Sequence, residues 1–78
     1  MQHDKRLPPP PPIGRLVRAA NSIGLIVIAA QTVGERDYRG GRFFVQEPGR
    51  MHAEFASDDI DAVLRWLRDR RREGHGGD

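Results

Sequence analysis

The chain has 78 residues, no cysteine, and thirteen Lys plus Arg against eleven Asp plus Glu, a net charge of +2. A chain of this length folds as one domain with one thin core, burying only ~60% of the surface it exposes when unfolded, so a deep catalytic cleft is not expected. The missing cysteine excludes disulfide frameworks, thiolate nucleophiles, thiolate zinc sites and iron–sulfur clusters, and the longest apolar run, Ile23 to Ala30, is far shorter than the ~20 residues that cross a bilayer.

Met1 to Pro12 is charged and then proline-rich, and reads as a flexible tail of residues 1–12, with Pro8 to Pro12 in extended polyproline II. Arg6, Pro9 and Pro12 satisfy an R-x-x-P-x-x-P pattern, although a stiff spacer explains the same residues. Pro12 can open a helix as its first residue. Ile13, Leu16, Val17 and Ala20 recur at i, i+3, i+4 and i+7 and place one apolar stripe on that helix, which Gly24 stops.

Leu25 to Thr32 is a short β-branched run, read as a strand buried on both faces. Gly34, Asp37, Gly40 and Gly41 are read as a long hairpin loop with Tyr38 at its tip, flanked by Arg36 and Arg39. Arg42 to Glu47 alternates as a second strand, with Phe43 and Val45 on one face and Arg42, Phe44 and Gln46 on the other. Pro48-Gly49 reverses the chain into a third strand, Met51 to Ala56, with Met51, Ala53 and Phe55 facing the core and His52 and Glu54 turned away.

Ser57 is the expected N-cap of the last helix, with Asp58, Asp59 and Asp61 near the positive end of its dipole and Arg68, Arg70, Arg71 and Arg72 near the negative end. Ile60, Val63, Leu64 and Leu67 form its core stripe, and Trp66 falls at the stripe's edge. Residues 73–78 are glycine-rich and charged and read as a second flexible tail.

These elements predict a small α+β domain over residues 13–72: helix-strand-strand-strand-helix, two layers, a three-stranded antiparallel meander with both helices on one face. The other face has no evident cover. It displays Arg42, Phe44, Gln46, His52 and Glu54 beside one apolar set of the first strand, and is a candidate surface for a homodimer or a partner.

Catalytic and metal-binding patterns are weak throughout. His52 and Glu54 are the minimum for a proton shuttle or half a metal site, but a solvated polar pair explains them more simply. The spacing of Asp58, Asp59 and Asp61 fails the calcium-loop pattern, and helix capping accounts for all three. The glycines form neither G-x-G-x-x-G nor a phosphate-binding loop. The chain is therefore expected to be a non-enzyme without cofactor or metal, and cytoplasmic.

Twelve of the thirteen basic residues are arginine, which suits planar contacts to carboxylate, phosphate or aromatic rings. Tyr, Trp and Arg are also the residues most enriched at binding hot spots. Tyr38, Arg39, Arg42, Phe44, Gln46, His52, Trp66 and Arg70 are accordingly the candidate contact residues for a larger protein. The function expected is that of a small interaction module, of the build seen in inhibitors and regulators from phages and mobile elements. The alternative is weak nucleic-acid binding through the sheet or through Arg65, Arg68 and Arg72 on the outer side of the last helix.

In topology, residues 13–72 resemble the double-stranded RNA-binding domain. That family grips phosphates with lysines at the start of its second helix, where this chain has Ser57-Asp58-Asp59-Ile60-Asp61, a segment that repels them. Residues 38–67 are similar to the arm-binding domains of phage integrases and to the plant AP2 domain, whose sheets enter the major groove. The likeness assigns that role to Arg42, Phe44, Gln46 and Arg50, with Glu54 intruding among them.

Overall fold

The computed structural model describes residues 4–76. In chain order these form helix α1 (Gly14–Asn21), strand β1 (Ile26–Ala29), helix α2 (Val33–Arg39), strands β2 (Phe43–Gln46) and β3 (Phe55–Ser57), and helix α3 (Ile60–Gly76). The sheet is an antiparallel meander in the order β1-β2-β3, with Val27 opposite Val45 and Val45 opposite Phe55. Alternation along the strands turns Val27, Ala29, Phe43, Val45 and Phe55 to one face. There they meet Leu16 and Ala20 of α1 and Val63 and Leu67 of α3 in a single core. The α+β meander with α1 and α3 on one face is thus the architecture of the chain.

Helix α1 begins at Gly14 instead of Pro12, because Ile13 holds the cap position and its carbonyl accepts from the Val17 N–H at 3.0 Å. Its end is a Schellman motif: Leu25 N–H bonds Ala20 C=O at 2.9 Å and Gly24 N–H bonds Asn21 C=O at 3.2 Å. Gly24, at φ 79°, takes the left-handed conformation that this reversal needs. The motif brings Leu25 onto Ala20, and both are buried.

Three expectations for the middle of the chain are corrected. The presumed hairpin loop contains α2, capped by the Thr32 hydroxyl, which accepts from the Glu35 N–H at 3.1 Å, and closed by Gly40 at φ 92°. Tyr38 therefore lies on a helix. The first strand is only Ile26–Ala29, half-buried and at the sheet's edge, not buried on both faces. The third strand starts at Phe55 because Glu47 to Arg50 forms a turn with Gly49 at φ 81° and a 3.1 Å bond from Arg50 N–H to Glu47 C=O. These are the features of a type II turn, which splays the strands it joins, and Pro48 has no N–H to extend the ladder. Met51, expected in the core, is 76% exposed.

Cap and tail assignments also change. Asp59, not Ser57, caps α3: its Oδ1 accepts from the Asp61 N–H at 2.9 Å, while Ser57 Oγ accepts from Asp59 N–H at 3.0 Å. Helix α3 continues past Arg72 to Gly76. At the other end, the segment read as a tail outside the domain is bonded to it: Leu7 N–H to Gln31 C=O and Val33 N–H to Lys5 C=O, both at 2.8 Å. Met1–His3 and residues 77–78 lie outside the described residues.

Candidate partner-binding surface

The turn at Glu47–Arg50 releases residues 51–53 from the ladder, which resumes where Glu54 N–H bonds Val45 C=O at 2.7 Å, and lays them beside the C-terminal end of α2. Arg39, on the last turn of α2, spans the gap. Its Nη1 donates to the Met51 carbonyl, and its guanidinium lies 5.3 Å from the Tyr38 ring centroid and 5.0 Å from that of Phe44. This corrects the expected uncovered face. Phe44, flanked in the sheet by Ile28 and Ala56, is only 1% exposed because the Arg39 side chain lies over it. Phe44 is a floor, not a contact residue.

Above that floor the surface is of another kind. Tyr38 is 78% exposed and Met51 76%, His52 is exposed, and Tyr38, Arg39, His52 and Ala53 line one shallow hollow. A second hollow, lined by Glu47, Arg50, His52, Ala53 and Glu54, adjoins it through His52 and Ala53. Glu54 then reaches across to α3, where its Oε1 is 3.0 Å from Arg70 Nη1, rather than sharing a strand face with His52. Arg70 lies 5.5 Å from the Trp66 ring, and Trp66 stacks on Phe55 at 5.4 Å and 11°. The contacts are continuous from Tyr38 to Trp66 around the β3 edge of the sheet.

Each charge on this path has a distinct status. Glu47 pairs with Arg50 at 3.2 Å and Glu54 with Arg70 at 3.0 Å. Arg39 has no carboxylate partner among the described residues, so the Tyr38 end carries the excess positive charge. Exposed ion pairs of this sort contribute about 0–1 kcal/mol each, so they orient side chains more than they stabilise the fold. What remains available for contact is an aromatic ring, a thioether, an imidazole and the outer side of a guanidinium.

The other sequence-derived candidates are placed elsewhere. Arg42 turns inward to the chain itself: its N–H donates to Asp58 Oδ1 at 2.8 Å and its Nη2 donates to the Pro8 carbonyl. Gln46 is half-buried on β2. Arg65, Arg68 and Arg72 are exposed on α3 and have no ion pair among the described residues. At 100° per residue they lie on the side of the helix away from Trp66 and Arg70. Tyr38, Arg39, His52, Trp66 and Arg70 are thus gathered into one surface, and Arg42, Phe44 and Gln46 are not part of it. Met51 belongs to it and was missed, because a strand over 51–56 hides a residue that the Pro48-Gly49 turn pushes out.

No protein-family model matches the chain, and neither a search of curated proteins nor one of solved structures finds a significant similarity.

Proposed function

We propose that this chain is a non-enzymatic binding protein, a small inhibitor or regulator that engages a larger protein through the surface running from Tyr38 and Met51 to Trp66. The observation that carries the reading is the exposure of Tyr38 and Met51, at 78% and 76% and joined through Arg39, while the other large apolar side chains among the described residues are buried wholly or in part. Exposing two such groups leaves apolar area in water that binding removes. Tyr, Met and Arg are also the residue types enriched where proteins meet. Arg39 sits on a buried ring and bonds the Met51 carbonyl, so the surface is pre-organised and loses little entropy on contact.

The test is quantitative capture from the native host at about 150 mM salt after nuclease treatment, with full-length protein and the Tyr38→Ala/Met51→Ala double variant side by side. A host protein retained by the first and lost by the second supports the reading. Equal retention by both contradicts it.

A second reading rests on the three unpaired arginines of α3. If Arg65, Arg68 and Arg72 bind nucleic acid, affinity falls with salt at a log-log slope near −0.9 for each duplex phosphate neutralised, about −2.7 for all three. Binding of that kind resists nuclease-free washing only at low salt, and Tyr38→Ala leaves it unchanged.

A further inference from the structure

The alternation of hydrogen bonds along β1 assigns a role to the N-terminal segment. Ala30 N–H points to β2, where it bonds Arg42 C=O, whereas Gln31 C=O and Val33 N–H point the opposite way and bond Leu7 and Lys5. In antiparallel pairing, backbone groups of alternate residues face the same side, so those of Val27 and Ala29 also point outward, away from β2. The antiparallel bridge between Arg6 and Thr32 starts a fourth strand on that edge. It stops at once, because Pro8 and its successors carry no N–H to continue it. Pro8, Pro9 and Pro10 instead stand across a groove from Ala29, Ala30 and Gln31, and Arg42 fastens the Pro8 carbonyl from the far side.

Behind this strap lies an edge of unusual composition. Ile26, Val27, Ile28, Ala29 and Ala30 hold no charge, no proline and no bulge, the devices that keep sheet edges from pairing. No backbone partner serves the outward groups of Val27 or Ala29 among the described residues. We propose that the outer edge of β1 is a site for strand addition by a second copy of this chain, held shut by the N-terminal segment acting as a proline strap. The occupant follows from the edge itself. Being neutral and β-branched, it does not repel its own copy, and a two-fold antiparallel pair sets Ile and Val against Ile, Val or Ala while satisfying the outward amides of both chains.

The latch is a small set of atoms. Asp4 Oδ1 accepts from Gly34 N–H at 2.8 Å, and a Cβ built on Gly34 would come within 2.5 Å of the Asp4 carboxylate. Gly34 lies in α2 at an ordinary helical position, so Gly34→Ala evicts Asp4 and suits the helix. Leu7→Pro removes the donor to Gln31.

The full-length Gly34→Ala/Leu7→Pro variant and the unaltered chain are compared by sedimentation equilibrium over roughly 10 μM to 1 mM, with amide exchange of Val33 reporting strap release. The unaltered chain is expected at its monomer mass of 8.8 kDa. The variant should move toward twice that mass with a dimer dissociation constant at least tenfold lower, and adding Ile28→Lys at the edge should reverse the shift. Single latch substitutions give the same direction if the double variant loses its thermal transition. A released strap with unchanged mass overturns the proposal, and so does an association that Ile28→Lys leaves intact. A Val33 amide still protected in the variant overturns the latch assignment.

Discussion

At the residue scale, one glycine and two aromatics show how position decides what a residue does. Gly41 is buried, and a Cβ there would lie 2.4 Å from the backbone nitrogen of Ser57. Backbone cannot turn aside as a side chain can, so Gly41→Ala should cost about 1–3 kcal/mol or more in chemical denaturation. A loss below about 0.5 kcal/mol would mean that β3 does not close on this loop. Phe44 and Tyr38 divide in the same way. Phe44→Ala should cost about 3–5 kcal/mol, as for a fully buried ring. Tyr38→Ala should stay within about 0.5 kcal/mol of the parent, which is the signature of a residue kept for contact and not for the core. Equal costs for the two would contradict the surface described here.

At the scale of elements, the N-terminal segment is the part most open to measurement. The Thr32 hydroxyl and then the Gly34 N–H hold the Asp4 carboxyl below its usual value. A carboxyl whose pKa is lower docked than free favours docking fully above its ordinary pKa of about 3.9, and that contribution is lost as pH falls through the lowered value. The adjoining charged groups are Lys5 and Arg6 on the segment and Glu35 on α2, whose Oε1 accepts from Gln31 N–H at 2.9 Å. The Leu7 and Val33 amide shifts should therefore hold steady down to about pH 4 and move together below it. Movement centred above pH 5 would assign the latch to another group.

The same scale shows what was legible in the sequence. Long stripes were: Leu16 and Ala20, Phe43 and Val45, Val63 and Leu67 all face the core as their spacing requires. Helix α2 was not, because none of its seven residues is buried and it has no apolar stripe to betray it. Its signal was chemical: Thr32 three residues before Glu35, then Gly40 as the stop. The strap was missed for a related reason, since a proline run looks unfit for pairing, and here the pairing belongs to Lys5–Leu7 just before it. Of the proposed contact surface, Tyr38, Arg39, Trp66 and Arg70 could be named from residue type, and His52 only from a strand face that it does not occupy. Their joining through Arg39 and Met51 required the helix and the turn that periodicity does not report.

At the scale of the whole molecule, two packed layers leave three distinct outer regions: the Tyr38–Trp66 surface around β3, the strapped edge of β1, and the arginine side of α3. No helix of the described residues is long and apolar enough to cross a membrane. Whether the first of these regions meets a protein, as proposed, can be tested with a photo-crosslinking amino acid placed at position 38 or at position 68 and irradiated in the native host. The expected result is a crosslink to one protein species from position 38 that survives nuclease treatment, and none from position 68. A nuclease-sensitive adduct from position 68, with nothing captured from position 38, would contradict it.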